Sequence, residues 1–302
     1  MDNRKHYLAA ISAFVIWGFF SIPLRAVDDY PVGEILFFRI MLSALVLIAI
    51  VLVGKKKEFR KNLDFLRTFP LPQRNRVIVL TLSGGVLLIV NWLLFIFVVN
   101  SINIKTASFS YMICPVITAV LGFLILQERL SILQWSAVGM CAISCLLIGI
   151  NSAAELFYSF LTAFVYALYL VSQRKNQGFD RIIILAIQVT FAVFILLFFY
   201  SSLISEVPAT GKFYGTMFLI ATVFTVLPLF LNLYALNRIN AATIGILLYL
   251  NPIFNFTVAL LIFNEVVNLI QIVGYFIIVI ALVVFNYPTF RKYQLSIEKR
   301  TN

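Results

Sequence analysis

The chain has 302 residues, 62% of them hydrophobic and 12% charged, with a formal net charge of +11. So little charge excludes a water-soluble globular domain, and most of the apolar surface must meet lipid. A basic excess in a soluble protein would suggest nucleic acid, but here the cations lie between apolar runs, where membrane topology accounts for them, and no nucleic-acid partner is expected.

Crossing about 30 Å of hydrocarbon takes roughly 20 apolar residues in a helix. Ten such runs are predicted, at 7–26, 34–53, 77–99, 102–126, 132–150, 153–173, 181–203, 214–237, 241–263 and 267–287. The first follows Arg4 and Lys5 as a signal peptide would. No small-x-small cleavage site follows Trp17, however, and Pro23 and Arg25 stand where one should lie, so the run is read as a span. The second opens on Glu34 and carries Arg39, which has two readings: bidentate binding of a substrate carboxylate or phosphate, or an ion pair with Asp28, Asp29 or Glu34. The one long connection, 54–76, holds Lys55, Lys56, Lys57, Arg60, Lys61, Arg67, Arg74 and Arg76 and is too small to be a domain.

The third span contains Asn91 and Trp92. In the fourth, Ser108, Tyr111, Cys114 and Thr118 follow helical spacing along one stripe, Pro115 sits near the middle, and Glu128 follows the end. Cys114, Cys141 and Cys145 all lie inside apolar runs and imply neither a disulfide framework nor a metal site, so no cofactor is expected. Tyr166 and Tyr169 mark the sixth span, Gln188 the seventh and Asn232 the eighth. The ninth carries Gly245, Leu248, Tyr249, Asn251, Pro252 and Asn255. Arg174, Lys175 and Arg181 surround the sixth connection, and Arg291, Lys292, Lys299 and Arg300 close the chain. If ten spans alternate, these cations, the 54–76 loop and both termini share one side, which the positive-inside rule makes cytoplasmic.

Residues 100–134 align without a gap on 237–271: Asn100 with Asn237, Asn103 with Asn240, Thr106 with Thr243, Pro115 with Pro252, Glu128 with Glu265 and Gln134 with Gln271. The chain therefore reads as two five-span halves, 7–150 and 153–287, and an odd number of spans inverts the second half relative to the first. Inverted repeats are a transporter signature, with a midplane site between the halves that opens to either side. Each proline removes an N–H and is expected to free a carbonyl, that of Tyr111 or Leu248. Such helix breaks are tolerated where a cavity or packed neighbours satisfy the freed group. The competing reading makes Pro115 and Pro252 packing kinks and gives Asn251 and Asn255 interhelical hydrogen bonds. For Glu128 and Glu265 the simple expectation is a turn, ahead of Ser131 and Asn268, which can cap the following helices.

Several blocks of the chain resemble the drug/metabolite transporter superfamily, in its EamA family of ten-span carriers, and are similar to the RarD group within it. They are Trp17-Gly18, "EILFFR" from Glu34 to Arg39, "NWLLFIFVVN" from Asn91, "SFSYMICP" ending at Pro115, "LQERLSILQW", and "LLYLNP" ending at Pro252. The likeness covers nearly the whole chain and implies export of small solutes. The chain departs from the family pattern at Cys114 in place of Asn, Leu248 in place of Gln and Gln188 in place of Glu.

The residues thus predict an all-α polytopic membrane protein of ten helices. The expected function is a carrier in a bacterial cytoplasmic membrane for small organic solutes such as amino acids, metabolites or amphiphilic drugs. The candidate path is Trp17, Arg39, Asn91, Trp92, Ser108, Tyr111, Cys114, Gln188, Asn232, Tyr249, Asn251 and Asn255. No acid lies near the midplane of a span, so no proton carrier is evident. A passive channel or membrane scaffold is the alternative. An intramembrane enzyme lacks the His, Ser–His or carboxylate groupings that hydrolysis needs. The expected partners are the solute and the lipid bilayer, with the choice between monomer and homodimer left open.

Overall fold

The computed structural model describes residues 3–102, 104–148, 153–262 and 269–301, and these are almost entirely helical. The elements are α1 (Arg4–Gly18), α2 (Ser21–Arg25), α3 (Val32–Gly54), α4 (Lys56–Thr68), α5 (Leu71–Ser101), α6 (Ile104–Leu126), α7 (Ile132–Ile148) and α8 (Ala153–Lys175). The chain continues with α9 (Arg181–Phe198), α10 (Tyr200–Leu203), α11 (Gly211–Ala221), a π-helical turn (Thr222–Val226), α12 (Leu227–Ala235), α13 (Ala241–Leu247), α14 (Leu250–Leu261) and α15 (Leu269–Thr301). Among the described residues nine helical segments are long and apolar enough to cross a membrane, and α7 is a shorter apolar helix of 17 residues. The chain is an all-α polytopic membrane protein.

Local chemistry explains where the helices start and bend. Asp180 accepts from the N–H groups of Ile182 and Ile183 at 2.9 and 3.3 Å and starts α9, while Lys55 Nζ donates to the same carboxylate at 2.8 Å. That hydrogen bond ties the end of α3 to α9 and raises the pKa of Lys55. Ser131 and Gln134 form a reciprocal capping box at the head of α7, Gln134 Oε1 accepting from Ser131 N at 3.0 Å. In the eighth span Pro228 has no N–H to give the carbonyl four residues earlier, that of Phe224. The chain widens into the π turn there, and Trp17 Nε1 donates to the Phe224 carbonyl at 2.9 Å. Thr225 Oγ1 donates to the Ile220 carbonyl at 3.0 Å in the same turn. A proline that the sequence reading passed over therefore holds α1 against the eighth span.

The two prolines it singled out behave differently. Pro115 lies inside α6, which continues through it. The span carrying Pro252 is interrupted at Leu248 and Tyr249. The Leu248 carbonyl is not left free as expected: Asn251 N donates to it at 3.0 Å, a tighter i+3 bond that replaces the one Pro252 cannot make.

Packing divides into two cores. The larger joins α1, α3, α5, α8, α9, α11, α12 and parts of α6 and α13. The smaller fills the space among α6, α7, α13 and α15 with Met112, Ala137, Cys141, Ile246, Tyr249, Ile278 and Phe285. The link between α7 and α15 is tight, Ser144 Oγ donating to the Gly274 carbonyl at 2.7 Å. Large side chains such as Leu146, Leu124 and Phe276 point outward, 78%, 64% and 64% exposed, as lipid-facing residues do.

Candidate functional site

Arg39 and Tyr111 each stand seven residues inside a helix, α3 after Val32 and α6 after Ile104, which puts both about 10 Å in at 1.5 Å per residue. The guanidinium carbon of Arg39 lies 5.8 Å from the centre of the Phe20 ring and 5.6 Å from that of Trp92, within cation–π range of both. Tyr111 extends the wall, its ring 5.7 Å from Phe95 and 6.3 Å from Tyr166. Trp17, Phe20, Arg39, Phe95 and Tyr111 are all only partly buried, so accessible surface reaches inward to this depth.

The ion pair that the sequence allowed for Arg39 is absent. Glu34, 3% exposed, is occupied elsewhere: its Oε1 accepts from Ser205 N, Ser205 Oγ and Glu206 N at 3.3, 3.1 and 3.2 Å. No described carboxylate lies in ion-pair range of Arg39, and its Nε is buried without a hydrogen-bond partner. An unpaired charge in such surroundings is costly until something neutralises it.

The other predicted residues divide. Trp92 joins Arg39 directly. Trp17 belongs to the same wall through Phe224, whose carbonyl it holds and whose ring is 5.9 Å from Phe20. Asn232, fully buried, donates to Tyr166 Oη at 3.4 Å and keeps an unpartnered Oδ1. Asn91 links helices instead, its Nδ2 donating to the Thr162 carbonyl at 2.9 Å. Cys114 is buried beside Thr118, 3.7 Å away. Gln188 lies deeper between α5, α8 and α9, accepting from Tyr169 Oη at 3.4 Å and donating to Gln173 Oε1 at 2.8 Å. Gly84 gives these amides their space, since a Cβ there would collide with both. Tyr249 is on the other side of α6, fully buried in the smaller core with its hydroxyl 3.8 Å from Cys145 Sγ. Asn251 is partly buried with its carbonyl against Gly18 of α1, and Asn255 is exposed. Ser108 is in α6, but its side chain lies outside the described residues, as does Glu265.

Sequence reasoning missed the role of Glu128. Gln127 adopts a left-handed conformation, φ 54°, that closes α6 with Glu128 N bonded to the Gly122 carbonyl at 3.2 Å. The turn aims the Glu128 carboxylate across to α13, where Oε1 accepts from Ala241 N at 2.8 Å and Oε2 from Ala242 N at 3.0 Å. Asn240 makes no side-chain cap there, so a carboxylate from another helix supplies it. Beneath this clasp α6 and α13 touch closely: a Cβ on Gly245 would lie 2.7 Å from Thr118 Cβ. Beyond Tyr249 the chain turns onto α1, where Phe254 packs against Gly18 and its ring is 5.5 Å from Phe19. At the Glu128 end α13 is thus clasped to α6, while α14 lies on α1. The only signal in the sequence was an acid recurring at a fixed distance after the spans' prolines.

The EamA-like transporter family matches residues 4–150 and again 153–287. An uncharacterized transporter of Pseudomonas aeruginosa is 27% identical over 95% of both chains. The uncharacterized transporter YojE of Bacillus subtilis is 28% identical over 87% of both. RarD of Escherichia coli is 27% identical over 94% of both. A solved crystal structure superposes with a TM-score of 0.75, covering 95% of this chain and 98% of the other at 15% identity, a likeness of fold. The chain belongs to the EamA-like transporter family and is a multi-pass membrane transporter similar to RarD.

Proposed function

We propose that the protein is a carrier that exports small organic solutes by alternating access between two inverted five-helix halves, 7–150 and 153–287, with both termini cytoplasmic. The observation that supports this best is Arg39: a cation without a carboxylate partner among the described residues, partly accessible, flanked by Phe20 and Trp92 seven residues inside its helix. Its chemistry favours solutes with a carboxylate and a flat or apolar body. A zwitterion's ammonium finds no acid beside Arg39, and the arginine itself repels a cation. The Glu128 clasp fits a closed cytoplasmic end, with the site open to the other side. Because no acid sits beside Arg39, transport is expected to run by facilitated diffusion or exchange rather than proton coupling.

Counterflow in proteoliposomes tests the reading. A carrier shows saturable uptake of labelled aromatic or aliphatic carboxylates, stimulated by unlabelled solute inside and persisting when the pH gradient is collapsed. Linear, unstimulated flux would make it a channel, and strict dependence on the gradient would refute the uncoupled mechanism. Impermeant cysteine labelling of intact cells at residue 265 checks the orientation, since labelling only after permeabilisation contradicts it.

A further inference from the structure

The transport reading leaves the basic helix α4 unexplained. Phe59, Leu63 and Leu66 face α5 and α9, yet no α4 residue is buried, and Phe59 and Leu63 remain 42% and 40% exposed. An apolar stripe beside Lys56, Lys57, Arg60 and Lys61 marks a helix that lies in a membrane interface. Between α4 and helices α3, α5 and α9 runs an apolar groove of about 490 Å³. Val51, Leu82, Ile187 and Phe194 are among its walls, and Lys56 and Arg60 stand at its α4 end. Neither cation has an acidic partner among the described residues, where the ion pairs are Lys55 with Asp180 and Arg67 with Asp64. The wall follows α9 from Ala186 to Phe194, about 12 Å at 1.5 Å per residue, against roughly 15 Å for half the hydrocarbon thickness. The groove thus spans most of one leaflet, with two free cations at its surface end.

We propose that this groove is a binding site for an anionic phospholipid, one acyl chain lying along α9 and the phosphate held between Lys56 and Arg60. A zwitterionic lipid offers the same chain but brings its own cation to the mouth, so headgroup charge decides occupancy. Lipid in the groove covers the apolar face of α4 that the protein leaves exposed and holds the helix against the bundle.

Native mass spectrometry of the full-length protein in detergent tests this with phosphatidylglycerol and phosphatidylcholine of identical chains. Phosphatidylglycerol is expected to be retained preferentially. Lys56→Gln with Arg60→Gln should weaken that retention roughly 30-fold, from about 1 kcal/mol per basic residue near a charged headgroup. Lys57→Gln with Lys61→Gln, two neighbours that do not line the groove, should leave it within about threefold. Ile187→Trp, which fills the groove and leaves the charges, should also release the lipid, and glycerol phosphate without acyl chains should not bind. Equal retention of the two lipids, equal loss in the two charge variants, or full retention in Lys56→Gln/Arg60→Gln would each overturn the site.

Discussion

Replacing Glu128 with Ala removes both oxygens that accept from Ala241 N and Ala242 N at 2.8 and 3.0 Å. Each is a hydrogen bond to a charged group, and together they form the N-terminal cap of α13. Ala leaves two amides of a helix start without partners, which sets the loss at about 2 kcal/mol after water takes part of their place. If the clasp forms only while that end is shut, the whole loss falls on the closed state, and the population open at that end rises roughly 30-fold. Gln keeps one acceptor oxygen and should give about fivefold, near 1 kcal/mol. The assay is maleimide labelling of Thr118→Cys, a fully buried position under the clasp, with Cys114, Cys141 and Cys145 replaced by Ala. An impermeant reagent is applied from the Glu128 side. Labelling should quicken in the order wild type, Glu128→Gln, Glu128→Ala. An unchanged rate in Glu128→Ala together with a lower melting temperature would refute the gate, because the cap would then hold the fold equally in every state.

Arg39→Ala removes a cation without an ionic partner, so the melting temperature should hold or rise while carboxylate affinity falls at least about 100-fold; Arg39→Lys, which loses the planar fork, should recover only part of it. A thermal shift and a binding curve on the same purified variants decide this. Trp17→Phe strands the Phe224 carbonyl, and a loss of about 1–3 kcal/mol is expected. Pro228→Ala restores an N–H to that carbonyl, so the double variant should regain most of the stability by denaturant titration, and no recovery would disprove the proline's role. Gly84→Ala drives a methyl into the Gln188 and Gln173 amides and should lower stability by about 1–3 kcal/mol. Adding Gln188→Ala, which removes one of the two colliding amides and leaves room for Gln173 to shift, should relieve part of that penalty, as a double-mutant cycle would measure.

Much of this architecture is a local property of the chain. Whether a run is long and apolar enough to cross lipid depends on its own residues, so the helices were legible from composition and length alone. The family was legible for the same reason, in short blocks around Trp17, Arg39, Asn91 and Pro115. Which face of each helix meets protein was not. Lipid tails are as apolar as leucine, so a span is hydrophobic all round and its pattern does not separate the groove-lining Ile187 from the core residue Ile183. Tyr249 looked like a path residue and lies in the smaller core, while Phe20, which the sequence did not single out, lies 5.8 Å from the Arg39 guanidinium carbon. The partners of the buried polar groups were equally hidden. Glu34 could have paired with Arg39, on its own helix, but caps a loop 171 residues away, and Glu128 reaches amides 113 and 114 residues away. Such bonds are set by which helix ends the packing brings together, and in a membrane, where every buried amide and carboxylate needs a partner, that packing alone decided which charges were satisfied and left Arg39 without a carboxylate among the described residues.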